Sequence, residues 1–393
     1  MDFSFSEDQD AARELGAQIL KDLSTHERLR EVEATDSRFD DKLWVQLGDA
    51  GLLGLSIPEA QGGAGYGFLE SCILAEEVGR TAAAIPVVAT LVLGAAPIAA
   101  FGNDEARDKW LPGVASGETI LTAALEEPGG DPLKPVTTAT PDGDGWRLSG
   151  SKTNVLAGML AHAYIVPAAL VGNGTQLFVV PADAEGLTRS RQDPTEGQPT
   201  AHLDLDSVRV GADDMLASGT AAAEGAGGST LRWLLERAEA ALCVQMAGAC
   251  KAAVEITARY TSERKQFGKP IAEFQAVGQR AADAFVDAEA VKLTAWQAAW
   301  RLDAGLPASA EVAVAKFWAD DGAQRCVHAC QHLHGGVGVD RDYPVHRYFL
   351  MVKHLALTLG GTSLSLLRLG DILAYGPQNG DIDDLEAAPA SQS

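Results

Sequence analysis

The run Arg264-Lys265-Gln266-Phe267-Gly268-Lys269-Pro270-Ile271, followed closely by Phe274-Gln275, separates two long segments of helical apolar period. Glycine frees the backbone for left-handed turns and proline removes a helical donor, so Gly268 and Pro270 together end one helix and admit another. From about Ser229 to Leu373 the apolar period persists, with further breaks at Gly305-Leu306-Pro307 and Gly335-Gly336. Long helices with such short interruptions predict a helical bundle over residues 229–375.

Upstream the period changes. Between Ile120 and about Val210, β-rich runs at Trp146 to Leu148, Tyr164 to Val166, Gln176 to Val180 and His202 to Leu205 alternate with turn clusters such as Pro141-Asp142-Gly143-Asp144-Gly145. This predicts a mainly antiparallel β domain over residues 120–228. Asp142 and Asp144 are assigned to a β-turn, because the remaining positions of a calcium loop are missing. Residues 1–119 are expected to be helical: Ser6 and Gln9 have capping-box spacing, and Ala11, Leu15, Ile19 and Leu20 recur at helical intervals. Further helices are expected at Lys42 to Gly51, Phe68 to Arg80 and Pro86 to Phe101. The Gly62-Gly63-Ala64-Gly65 loop does not fit GxGxxG and follows no strand, so it is taken as a flexible bend and not a phosphate cradle. Residues 376–393 are poor in apolar side chains and predict a solvated tail. The fold class is therefore α+β: a helical domain, a sheet domain and a bundle.

With 46% apolar and 22% charged residues among 393, the composition is that of a globular enzyme-sized chain. An excess of 54 acidic over 31 basic residues, net −23, argues against a nucleic-acid or anionic-membrane partner. Thr81 to Gly102 is 22 residues without a charge, but Pro86 and Pro97 divide it, which favours a buried helix over a membrane span. Cys72, Cys243, Cys250, Cys326 and Cys330, with no basic-then-apolar leader, point to reduced thiols in a cytoplasmic protein. Cys326 and Cys330 share a helical face near His328, His332 and His334. Structural zinc usually draws ligands from two separated loops, so no metal is expected there. Trp296, Trp300 and Trp318 are expected in core or interface.

Three motifs, in this order, resemble those of the acyl-CoA dehydrogenases. The run from Arg264 to Gln275 is similar to that family's RxxFGxPIxxFQ signature. His332-Leu333-His334-Gly335-Gly336-Val337-Gly338 with Asp342-Tyr343-Pro344-Val345-His346-Arg347 resembles its QxHGGxGxxxxYPVxR segment, with His332 in place of Gln. Gly361-Thr362-Ser363 resembles the segment that normally begins with the catalytic Glu, and Pro58-Glu59 with Gly62-Gly63 resembles an N-terminal loop. The resemblance implies FAD held between subunits, an acyl-CoA substrate, and electron-transfer flavoprotein or a similar acceptor. A carboxylate base and the flavin must then face opposite sides of the acyl chain, one taking the α proton and the other the β hydride.

The resemblance divides the cofactor residues into two sets. The set facing a neighbour's FAD is present: Arg264 for the pyrophosphate, Phe267 for packing, Gln275 and His332 as polar contacts, and Gly335 and Gly336 for close backbone approach. The set serving the chain's own FAD departs throughout. Glu126 stands where the family has Thr before Glu-Pro, Asn154-Val155-Leu156 where it has Trp-Ile-Thr, Gly360 at the base position and Leu364 at the following Gln. Leu156 cannot hydrogen-bond a flavin nitrogen. This pattern is similar to the partner subunits of actinobacterial heterotetrameric steroid and sterol side-chain acyl-CoA dehydrogenases, which complete the FAD pocket of a base-carrying homologue. Some family members instead place the base on the first bundle helix, where Glu239 stands here with Glu236 nearby. The alternatives are a self-sufficient homotetramer using Glu239, or a flavin-free structural paralogue.

Overall fold

The computed structural model describes residues 5–170, 174–216 and 227–375, so the expected tail at 376–393 lies outside the described residues. The N-terminal part comprises α1 (Glu7–Leu23), α2 (His26–Glu33), α3 (Asp41–Asp49), α4 (Phe68–Thr81), α5 (Ala96–Phe101) and α6 (Asp104–Ser116). Ser6 and Gln9 form the expected capping box: the Ser6 hydroxyl accepts from the Gln9 amide, and the Gln9 side chain accepts from the Ser6 amide. The face of α1 differs from expectation. Gly16 and Leu20 are buried while Leu15 stays 45% exposed, because Gly16 admits Leu74 of α4 to close contact.

Within the uncharged Thr81–Gly102 segment residues 82–86 are not helical, and the helix that follows is wound over eight residues, Val88–Ala95, as a π-helix ahead of α5. It packs on the sheet and is buried along its length. The glycine loop is not a flexible bend. Gly65 donates to Ile57 O at 2.9 Å and Ala64 to Gly54 O at 2.9 Å, and a Cβ on Gly63 would lie 2.0 Å from the Ile57 carbonyl oxygen.

The middle domain is a sheet of β1 (Leu121–Ala123), β2 (Thr138–Asp142), β3 (Gly145–Val155), β4 (Ala163–Leu170), β5 (Thr175–Pro181), β6 (Leu187–Gln192), β7 (Thr200–Val210) and β8 (Met215–Leu216). Its order is β6-β7-β3-β2-β4-β5-β8. Pairing is mainly antiparallel, with β1 and β2 parallel to β4. Asp142 and Asp144 occupy the expected hairpin turn and pair with Arg147 and Arg209. The Lys152 ammonium is fully buried within β3. It donates to Glu127 Oε1 at 2.7 Å and to Pro167 O at 2.8 Å, tying the 126–137 segment to β3 and β4. Register shifts flank it, between Leu148 and Gly150 and between Lys152 and Val155.

The C-terminal bundle contains α7 (Gly227–Glu263), the hairpin β9 (Lys265–Gln266) and β10 (Lys269–Pro270), α8 (Gln275–Asp303), α9 (Ser309–Phe317), α10 (Ala323–His334), α11 (Val345–Leu355) and α12 (Thr362–Tyr375). A π-helical turn, Trp318–Gly322, joins α9 to α10. Helix α7 docks on α4 through reciprocal glycines: a Cβ at Gly79 would meet Gln245 O at 1.9 Å, and one at Gly248 would meet Glu76 O at 2.0 Å. Only glycine permits that approach. The segment Thr230–Glu263 of α7 is long and apolar enough to cross a bilayer, but most of its apolar window is buried in the bundle, as in the core helix of a globular fold.

Candidate cofactor site

Two surfaces carry the residues singled out from the sequence, and they differ in kind. On the first, α7 ends at Glu263 and the chain turns through the β9–β10 hairpin. Phe267 and Gly268 both have positive φ, 52° and 82°, the backbone of a tight hairpin turn. Phe267 is 93% exposed, an unusual setting for a large aromatic at positive φ. Ile271 N donates to Arg264 O at 2.8 Å, which fixes the hairpin base, while the Arg264 side chain is exposed and makes no ion pair among the described residues. Gln275 opens α8 behind Phe274, whose side chain makes no capping hydrogen bond, so the first amides of α8 lack a side-chain acceptor there.

The glycine motif sits next to this hairpin because of an aromatic cluster. The Tyr260 ring, one turn before Arg264, stacks on His334 at 4.4 Å, and Tyr343 closes the cluster at 5.1 Å from His334. His334 Nδ1 donates to Cys330 O at 2.7 Å. Its Nε2 is buried and has no partner among the described residues, and burial holds the ring's pKa below its ordinary value. Gly335 (φ 59°) and Gly336 follow, exposed, and a Cβ on either would meet nothing within 4 Å. His332 is exposed on the last turn of α10. An uncommitted guanidinium, an exposed ring and open glycine backbone suit a diphosphate and an adjoining planar group. These residues fit the neighbour-facing half of an FAD site.

The second surface is the cleft between β3, the 126 segment and the α11–α12 junction, and it is closed. Asn154, at φ 48°, donates through Nδ2 to Glu126 Oε1 at 2.8 Å and to Thr358 Oγ1 at 3.3 Å. Its Oδ1 lies 3.0 Å from His354 Nε2, and His354 Nδ1 lies 2.7 Å from Glu196 Oε1. Burial raises the Glu126 pKa, opposed by the Asn154 and Leu359 hydrogen bonds. The cavity left among Leu93, Glu126, Asn154, Leu156, Leu242 and Leu359 is about 10 Å³, room for roughly one water. Gly360 has φ 133°, and a Cβ there would lie 2.5 Å from Leu364 Cδ2, so the base position is shaped for glycine. These residues do not fit a flavin ring in this chain's own cleft.

Glu239 is buried on α7, with Arg368 Nη1 2.5 Å from its Oε1. Arg368 Nη2 also meets Asp131 at 3.2 Å. Burial pushes the Glu239 pKa up, with Arg368 pulling it back. Glu236 accepts from the Ser309 hydroxyl and is likewise raised by burial. Sequence reasoning misses His354, Glu196 and Thr358. Nothing in the run Val352-Lys353-His354-Leu355-Ala356 marks them, since their partners lie far away in the chain.

The acyl-CoA dehydrogenase N-terminal domain matches residues 6–118 and the acyl-CoA dehydrogenase C-terminal domain matches residues 225–371. This chain belongs to the acyl-CoA dehydrogenase family. Acyl-CoA dehydrogenase FadE27 of Mycobacterium tuberculosis is 37% identical over 390 residues, covering 96% of this chain and 100% of the relative. FadE28 of the same organism is 35% identical, covering 84% of this chain and 92% of its own length. Among solved structures, a variant of the Tcur3481-Tcur3483 steroid ACAD is 44% identical with a TM-score of 0.88, covering 94% of this chain and 98% of that one. The ChsE4-ChsE5 complex from Mycobacterium tuberculosis is 37% identical with a TM-score of 0.90, covering 96% and 100%. The acyl-CoA dehydrogenases are FAD-linked oxidoreductases acting on CH–CH bonds, and this chain has their fold across all three parts.

Proposed function

We propose that this chain is the flavin-completing subunit of a heterotetrameric acyl-CoA dehydrogenase that introduces an α,β double bond into a bulky acyl-CoA. The observation that carries the reading is the contrast between the two surfaces. The own cleft is closed to about 10 Å³ with glycine at the base position, while the neighbour-facing set stands exposed and uncommitted. A flavin, when bound, supplies the hydride acceptor for such a reaction. In this reading Arg264 neutralises diphosphate charge, Phe267 covers a face of the cofactor against water, and the Gly335-Gly336 backbone lets the cofactor pass closely. His332 donates a hydrogen bond at the same edge. The base and ring-facing donors belong to a homologous partner subunit, and electrons pass on to electron-transfer flavoprotein or a similar acceptor.

The steroid side-chain class of substrate is supported by the solved relative named as a steroid ACAD and by the complex of two different chains. Glu239 as a base on this chain is disfavoured by its buried pairing with Arg368. A cytoplasmic setting accords with five buried, unlinked cysteines. The test is purification of the chain alone and with its homologous partner. We expect a colourless lone chain and a yellow complex holding half as many flavins as chains. A lone chain that retains flavin and turns over an acyl-CoA would overturn the reading.

A further inference from the structure

We propose that Asn154 and His354 are specificity-determining residues that close this chain's own flavin-ring cavity and so assign the ring to the partner's cleft, an inference that rests on the half-site reading above. The chain Glu196–His354–Asn154–Glu126 crosses from the 193–199 loop through the end of α11 and the end of β3 to the 126 segment. Its hydrogen-bond polarity is fixed. Asn154 turns its amide nitrogen toward Glu126 Oε1 and Thr358 Oγ1, so its oxygen faces His354. A carboxylate and an amide oxygen only accept, so both imidazole nitrogens of His354 must donate, which is the doubly protonated ring. The pKa of His354 is raised accordingly: burial lowers it, but the Glu196 hydrogen bond and the charges of Glu196 and Glu126 outweigh that.

Every side-chain donor of Asn154, His354 and Thr358 already has an acceptor among the described residues, so none is left for a flavin. Asn154 suits its place for a backbone reason as well. Its φ of 48° is a left-handed conformation that asparagine tolerates better than most residues. His354 and Thr358 are 7% and 2% exposed, so the line is sheltered from competing water. Because it joins the sheet domain to the bundle across the cleft, it fills the cavity and also holds its walls together. Ligand pockets usually offer roughly 300–1,000 Å³, which leaves the space here far too small for a tricyclic ring.

The experiment opens the cleft. Asn154→Gly with His354→Ala removes both central members and leaves the Glu196 and Glu126 carboxylates separated by a void. Riboflavin, which carries the ring without the diphosphate, is titrated into the isolated chain and followed by quenching of its fluorescence. The expected result is no saturable quenching for the wild type, and binding at least tenfold tighter for the double variant. His354→Gln keeps a donor to Asn154 and fills most of the same space, and it should bind riboflavin no better than wild type. A folded double variant, by circular dichroism and a cooperative melt, that binds riboflavin no better than wild type overturns the inference. If the double variant does not fold, His354→Ala alone is read by the same criterion. Should the wild-type chain itself bind riboflavin, or the complex hold as many flavins as chains, the half-site reading fails instead.

Discussion

Restoring a carboxylate at position 360 tests whether the missing base is a point change or part of the local fold. Gly360→Glu forces a side chain onto a φ of 133° and places Cβ 2.5 Å from Leu364 Cδ2, 3.2 Å from its Cβ and 3.3 Å from its Cγ. A non-glycine residue in such a conformation costs about 1–3 kcal/mol. Overpacking of this kind adds about 1–3 kcal/mol. The sum of about 2–6 kcal/mol is a large fraction of the roughly 5–15 kcal/mol that holds a typical domain together. Gly360→Ala should carry most of that cost, because strain and contact both begin at Cβ. Neither variant should gain dehydrogenase activity as an isolated chain: a correctly placed base is worth roughly 10²- to 10⁴-fold, but only with a ring beside it. Urea unfolding of wild type, Gly360→Ala and Gly360→Glu gives the stability difference, and acyl-CoA oxidation with an artificial electron acceptor gives the activity. The reasoning is refuted by a Gly360→Glu chain within about 0.5 kcal/mol of wild type, or by one that turns over substrate alone.

Three other outcomes are expected. Arg264→Ala in the co-expressed complex should lower FAD affinity by roughly 10- to 150-fold with assembly intact, since a charge-assisted hydrogen bond contributes about 1.5–3 kcal/mol; lysine should rescue only part, lacking the planar fork. Flavin absorbance after dialysis, read beside gel filtration, checks both. Glu239→Gln should leave activity of the complex within about tenfold while lowering its melting temperature, because the Arg368 charge loses its buried counterion; a loss near 10³ would instead make Glu239 the base. For pH, the folded His354 holds its proton above the ordinary value of 6.5, so its contribution is fully present below that pH and is lost as pH rises through the folded value. The melting temperature of wild type should therefore fall more than that of His354→Gln on going from about pH 6.5 upward, and equal slopes would contradict the doubly donating ring.

What could be read from the sequence depended on the range of the interaction. The Ser6–Gln9 capping box, the helix break at Gly268 and Pro270 and the α10 stop at Gly335 are each set by residues a few positions apart, and local chemistry suffices for them. The π-helix at Val88–Ala95 is set by packing against the sheet, and an uncharged run looks the same for α and π winding. The buried face of α1 departs from its apolar period for a similar reason, because a glycine that admits a neighbouring leucine outweighs an apolar residue at Leu15. At the site, Leu156 and Gly360 declared themselves as lost functional groups. Asn154 did not declare what it gains, since its partner His354 lies 200 positions away.

The buried Lys152 bears on how the sheet is made as well as on how it stands. A strand interrupted by two register shifts has two places at which it could settle one residue out of step with its neighbour. Such a slip sends every side chain to the opposite face. Lys152 finds its acceptors, the Glu127 carboxylate and the Pro167 carbonyl, at one alignment. One residue out of step, it would turn to the half-exposed face and leave Glu127, itself buried, without its counterion, a fault of about 3–5 kcal/mol. The ammonium thus serves as a proofreader during assembly: misaligned sheets are too unstable to persist, and the strand that carries Asn154 to the cleft arrives with the correct face turned inward.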